Sequence, residues 1–102
     1  MNINQATICG RTTSKPVLKS TKGGQSVCAF SIATNRNWTD KDGGKQEAVD
    51  FHNIVLWGKV AELCAKYVEK GQVLYIQGRI QTRKYEKEGS DHYITEIVGQ
   101  TM

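Results

Sequence analysis

Apolar and polar residues change period several times along the chain, and each change marks an element. In DFHNIVLWG (Asp50–Gly58), Ile54 and Leu56 alternate as the buried side of a strand, with Ala48 and His52 further back on that side. The opposite side carries Phe51, Asn53, Val55 and Trp57, so two large aromatics stand where no core claims them. Earlier, Cys28, Phe30 and Ile32 alternate with small residues across Ser26–Thr34, a half-buried strand preceded by a Gly23–Gly24 turn. Between the two, Asn35–Gln46 is polar and glycine-containing, which predicts a loop or loose hairpin with Trp38 near its start. Lys59–Lys70 then moves to helical spacing, with Val60, Leu63, Cys64, Tyr67 and Val68 on one face and Gly71 as the stop. Gln72–Tyr85 returns to period two. Leu74, Ile76, Gly78 and Ile80 are predicted inward, and Tyr75, Gln77, Arg79, Gln81, Arg83 and Tyr85 outward. EKEGSD is a hairpin tip, and His92–Val98 is the last strand.

The predicted order is strand, strand, strand, helix, strand, strand. It describes an all-β chain with one helix: a five-stranded OB-fold barrel whose helix lies between the third and fourth strands. In such barrels the second and third strands and their loops form a face for single-stranded nucleic acid or sugars. Phe51 and Trp57 lie on the third strand, roughly 20 Å apart at about 3.3 Å per residue. Arg79, Arg83 and Tyr85 repeat the aromatic-and-basic theme on the outer face of the fourth. Rings interleaved with cations suit base stacking and phosphate tracking. The competing reading is that Phe51 and Trp57 close a core or a subunit contact.

The length of 102 residues suits one domain, residues 1–102, and the 38% apolar share suits a folded chain. No stretch approaches the roughly 18 apolar residues of a membrane span. The N-terminal MNINQATICG has no signal-peptide pattern, and the three cysteines, Cys9, Cys28 and Cys64, read as small buried residues of a reducing compartment. The expected location is cytoplasmic, beside the nucleoid. Net charge is +4, and it is unevenly spread. Arg11, Lys15, Lys19, Lys22 and Arg36 precede the first acid, Asp40, whereas nine bases and ten acids follow from there. That distribution fits either a solvated basic face or a footprint for a polyanion.

Catalytic motifs are weak. The two GK pairs lack the spaced glycine of a phosphate loop, no CxxC or paired histidine offers metal ligands, and no cofactor is implied. Asp50 and His52 are spaced to make a base with an orienting carboxylate, but no motif places a nucleophile beside them. The expectation is a binding protein and not an enzyme.

Four segments carry a more specific signal: FSIATNRNW (Phe30–Trp38), FHNIVLWGKVAELCAKYVEKG (Phe51–Gly71), LYIQGRIQTRKY (Leu74–Tyr85) and YITEIV (Tyr93–Val98). In order and spacing they resemble bacterial-type single-stranded DNA-binding proteins across nearly the whole chain. The resemblance implies non-catalytic, largely sequence-independent binding that protects single strands in replication, recombination and repair. It implies stacking roles for Trp38, Phe51, Trp57 and Tyr85, and phosphate contacts for Lys41, Lys59, Lys70, Arg83 and Lys84. Arg36 and Arg79 join these on charge and strand parity. It also implies a homotetramer with His52 at the subunit contact, with a core histidine as the alternative, since the parity of His52 points inward. Two departures stand out. Family members continue into a flexible linker and an acidic tail that recruits replication and repair proteins, whereas this chain stops at Met102, so that recruitment is in doubt. Asn53 stands where a base is common, which removes one expected phosphate contact. The rival binding classes are an RNA-binding OB module and a primosome-type OB adaptor.

Overall fold

Proline has no N–H to give a strand ladder, and Pro16 stands in the segment ahead of the Ser26–Thr34 strand. The computed structural model describes residues 1–102. That segment forms two strands, β1 (Ala6–Thr12) and β2 (Val17–Ser20), with Pro16 fully buried between them. The predicted second and third strands are β3 (Ser26–Thr39) and β4 (Lys45–Trp57), the helix is α1 (Gly58–Tyr67), and β5 (Val73–Lys87) and β6 (Ser90–Thr101) complete the chain. The sheet order is β1-β5-β6-β4-β3-β2, and a second pairing of β1 with β3 closes it into the five-stranded barrel. β4 and β6 meet in parallel through Ile54↔Ile97 and Val55↔Val98. Parity holds across that seam: Ile54 and Ile97 point into the barrel, while Val55 and Val98 share the outer face.

The core is Cys28, Phe30, Ile32, Ile54, Leu56, Ala61, Cys64, Val68, Leu74, Ile76 and Ile97. Burial pushes the Cys64 thiol up to about 12, helped by the neighbouring Cys28, and burial raises Cys28 as well. Cys9 departs from expectation: it is exposed on the outer side of β1, opposite Tyr75 of β5. Gly78 is inward as predicted, and it must be glycine. β5 and β6 approach so closely at the adjacent irregularity that a Cβ there would meet the Val98 carbonyl.

Four further expectations need correction. The predicted loop at Asn35–Gln46 is mostly strand, because β3 and β4 pair without a break from Val27↔Trp57 to Thr39↔Lys45. Only Asp40–Gly44 turns. There Asp40 Oδ1 accepts from the N–H groups of Asp42 and Gly44, and Oδ2 accepts from Gln46 Nε2. The Gly44 N–H is the main cause of a lowered Asp40 pKa, with Gln46 next. The helix stops at Tyr67 and not at Lys70. Lys15 Nζ donates to the carbonyls of Ala65 and Val68 at 3.3 and 3.1 Å, and Thr12 Oγ1 donates to Glu69 O at 2.6 Å. Side chains near β1 thus take the carbonyls that a longer helix would keep.

The helix also buries a narrower stripe than predicted. Ala61, Cys64 and Val68 are covered, but Leu63 and Tyr67 are exposed. α1 lies against β3 more than any other strand, so one line of side chains meets the barrel. Ile80 has the inward parity assigned to it but is 45% exposed. β1 covers β5 only as far as Ala6↔Gly78, and beyond that point the Asn4 side chain alone bonds the backbone of Ile80, at 2.7 and 2.8 Å.

Candidate nucleic-acid interface

Because β4 and β6 are in register, the outward residues of β4 continue onto β6 and then β5. Phe51, Asn53, Val55 and Trp57 lie on the same side as Glu96 and Val98 of β6 and as Arg79, Gln81, Arg83 and Tyr85 of β5. Phe51 is 67% exposed, Trp57 43% and Tyr85 42%. Val55 is buried on this face, since Val98 packs beside it across the seam. Trp57 is held at the strand end by Gly58, whose φ of 65° turns the chain directly into α1. A left-handed residue is required there, and glycine supplies it without steric cost. Lys59 follows in the first helical turn, exposed and without an ion pair.

Toward the free end of β5, Tyr85 stacks on His92 of β6, with centroids 5.3 Å apart and planes at 23°. Between the ring pairs runs a polar line. Arg79 Nη1 donates to Gln81 Oε1 at 3.2 Å, Gln81 Nε2 donates to Glu96 Oε1 at 3.1 Å, and Arg83 Nε donates to the same oxygen at 2.9 Å. Asn53 Nδ2 donates to the Thr95 carbonyl at 3.4 Å, so it ties β4 to β6. Exposed aromatic planes separated by guanidinium groups can stack bases and meet phosphates on one surface.

Not every predicted site residue joins this face. Trp38 and Arg36 share the other side of the β3–β4 ribbon, where Arg36 lies 5.3 Å over the Trp38 ring and pairs with Asp50 at 2.6 Å. His52 is also on that side, half-buried, with Nε2 2.8 Å from Thr34 Oγ1. Lys84 faces away from Arg83 on β5 and pairs with Asp91 at 3.2 Å. Lys41, at the β3–β4 tip, and Lys70, after the helix, are exposed and without ion pairs. Three of the five N-terminal bases, Arg11, Lys15 and Arg36, are already engaged. Arg11 donates to the Gly71 carbonyl at 3.0 Å, and Lys15 holds the helix end. Sequence reasoning passed over Glu96 and His92. A signal for Glu96 was present, because it breaks an otherwise apolar outward series of Ile94, Glu96 and Val98.

The single-strand binding protein family model matches residues 3–102. The chain belongs to that family. It is 41% identical over 102 residues to single-stranded DNA-binding protein 1 of Chlorobaculum tepidum, covering 98% of this chain and 63% of that protein. It is 44% identical over 97 residues to the single-stranded DNA-binding protein of Enterococcus faecalis, covering 94% of this chain and 50% of that protein. Among solved structures, the Plasmodium falciparum SSB in complex with ssDNA superposes with a TM-score of 0.89 at 34% identity, covering 96% of this chain and 87% of that one. The family thus accounts for the barrel, and the chain spans only about three fifths of the first relative's length. No helix is long and apolar enough to cross a membrane.

Proposed function

We propose that residues 1–102 act as one unit that binds single-stranded DNA with little regard to sequence, by stacking bases on aromatic rings and meeting phosphates with Lys and Arg. One observation carries this reading: Phe51, Trp57 and Tyr85 stand exposed on one continuous barrel face with Arg79 and Arg83 beside them. Trp38, with Arg36 against its ring, supplies a further platform on the other side of the ribbon, so the strand passes around the β3–β4 arm. Lys41, Lys59 and Lys70 serve as mobile phosphate partners, with Lys84 weaker because Asp91 already holds it. The role is protective and non-catalytic, in replication, recombination and repair, in the cytoplasm. Asp50 and His52 support a non-catalytic reading, because Arg36 takes the first and Thr34 the second. The barrel works as a homotetramer, with the His52 region at a subunit contact.

The test is tryptophan fluorescence titrated with poly(dT) at two salt concentrations, since Trp38 and Trp57 report on both sides of the ribbon. Saturable binding that weakens with salt is expected. The absence of any saturable change, or a ribo-oligomer that outcompetes its deoxy counterpart, would sink the reading. Light scattering at micromolar concentration tests the assembly, and a mass of 11.4 kDa, that of one chain, would remove the tetramer.

A further inference from the structure

Glu96 is the only Asp, Glu, Lys or Arg side chain that is buried, at 4% exposure, and it lies on the outward face and not in the core. A carboxylate on the track of a polyanion opposes binding, and a buried one persists only when it is paired. Its partner is Arg83, which keeps 52% of its side chain exposed while donating through Nε alone. Its terminal nitrogens make no hydrogen bond within the chain, and about half of the side chain stays open to the surface. Gln81 adds a second donor to the same carboxylate oxygen and in turn accepts from Arg79. Arg83 is two residues from Tyr85 on the same side of β5, a spacing of about 6.6 Å.

We propose that Glu96 is a positioning residue that turns Arg83 from a mobile phosphate counterion into a fixed planar platform, stacking on the base next to the one held at Tyr85. The inference rests on the single-stranded DNA reading above. Two physical consequences follow. With its charge offset by Glu96, Arg83 releases little counterion on binding and adds little to the salt dependence. With its plane fixed in advance, it loses little freedom when a base arrives. Lys59, which has no ion pair, behaves in the opposite way.

The experiment measures binding of a dT oligomer over a salt series for the parent, Arg83→Lys, Glu96→Gln and, as a charge-only reference, Lys59→Ala. Arg83→Lys keeps the charge and loses the plane, so affinity falls about tenfold at every salt concentration with the slope unchanged. Glu96→Gln frees Arg83 to act as a counterion, so the slope of log K against log salt steepens by about 0.7. Parent-like binding by Arg83→Lys overturns the inference, as does an unchanged slope in Glu96→Gln. If Glu96→Gln does not fold by thermal melting, Arg83→Lys alone decides. A parent that binds no dT oligomer refutes the DNA reading and this inference together, whereas a parent that binds while these variants show no such changes refutes the inference alone.

Discussion

Replacing Phe51 with alanine separates a binding platform from a core residue, because Phe51 is the most exposed ring on the outward face of β4. Full burial of a Phe side chain stabilises by about 1.5–3 kcal/mol, and Phe51 is 67% exposed. Phe51→Ala therefore costs only about 0.5–1 kcal/mol of folding stability, roughly 2–8 °C in Tm for a domain of this size. A stacked base is worth about 1–3 kcal/mol, so the same change weakens oligo-dT binding roughly 5- to 150-fold. Ile54, three residues on and of opposite parity, is fully buried. Ile54→Ala should cost about 2–5 kcal/mol of stability through the cavity it leaves, with the folded fraction binding normally. Phe51→Trp should keep most of the affinity, since a π-face remains. The assay pairs thermal melts at equal protein concentration with fluorescence titrations of the three variants. If Phe51→Ala melts as early as Ile54→Ala while its folded fraction binds like the parent, the stacking role of β4 is refuted.

Lys59→Ala should flatten the salt slope by about 0.7, and Lys84→Ala by less, because Asp91 already holds Lys84 at 3.2 Å; equal flattening by both would show that the Asp91 pair does not matter in solution. Of the three thiols only Cys9 is exposed, so a colorimetric thiol reagent should find one reactive group in the folded protein and three after unfolding. The Cys64 pKa is raised from 9.0 to about 12, so the unfolded chain ionises first and stability should fall as pH rises through that window. Urea midpoints that do not drop across it would contradict the buried thiol. Glu88 sits in the left-handed region at φ 54° beside Gly89 at 77°, a pair that suits a two-residue hairpin turn with Asn first. Glu88→Asn should raise stability by about 0.5–1 kcal/mol, read as a higher urea midpoint at unchanged slope, and a lower midpoint would refute the turn geometry.

Period and parity in the sequence were enough to determine the strand order, the helix between the third and fourth strands, and the assignment of Ile54 and Leu56 inward with Phe51 and Trp57 outward. A strand alternates its side chains whatever it pairs with, so face assignment is local information. Local pattern could not say where a face stops being covered. Ile80 has core parity yet is exposed, because β1 ends its pairing at Gly78; Val55 has outward parity yet is buried, because β6 brings Val98 beside it. Both outcomes depend on a distant strand. The helix end is similar: Gly71 marked a plausible stop, but Lys15 and Thr12 ended the helix earlier by taking its carbonyls from some fifty residues away in sequence. The site divides along the same line. Its ring and base types were readable in the chain, as was the aromatic spacing on β4. That Trp38 faces away from Phe51, that Tyr85 is stacked by His92, and that Glu96 occupies Arg83 were decided by cross-strand register. Register is fixed by closure of the whole barrel, and no single segment contains it.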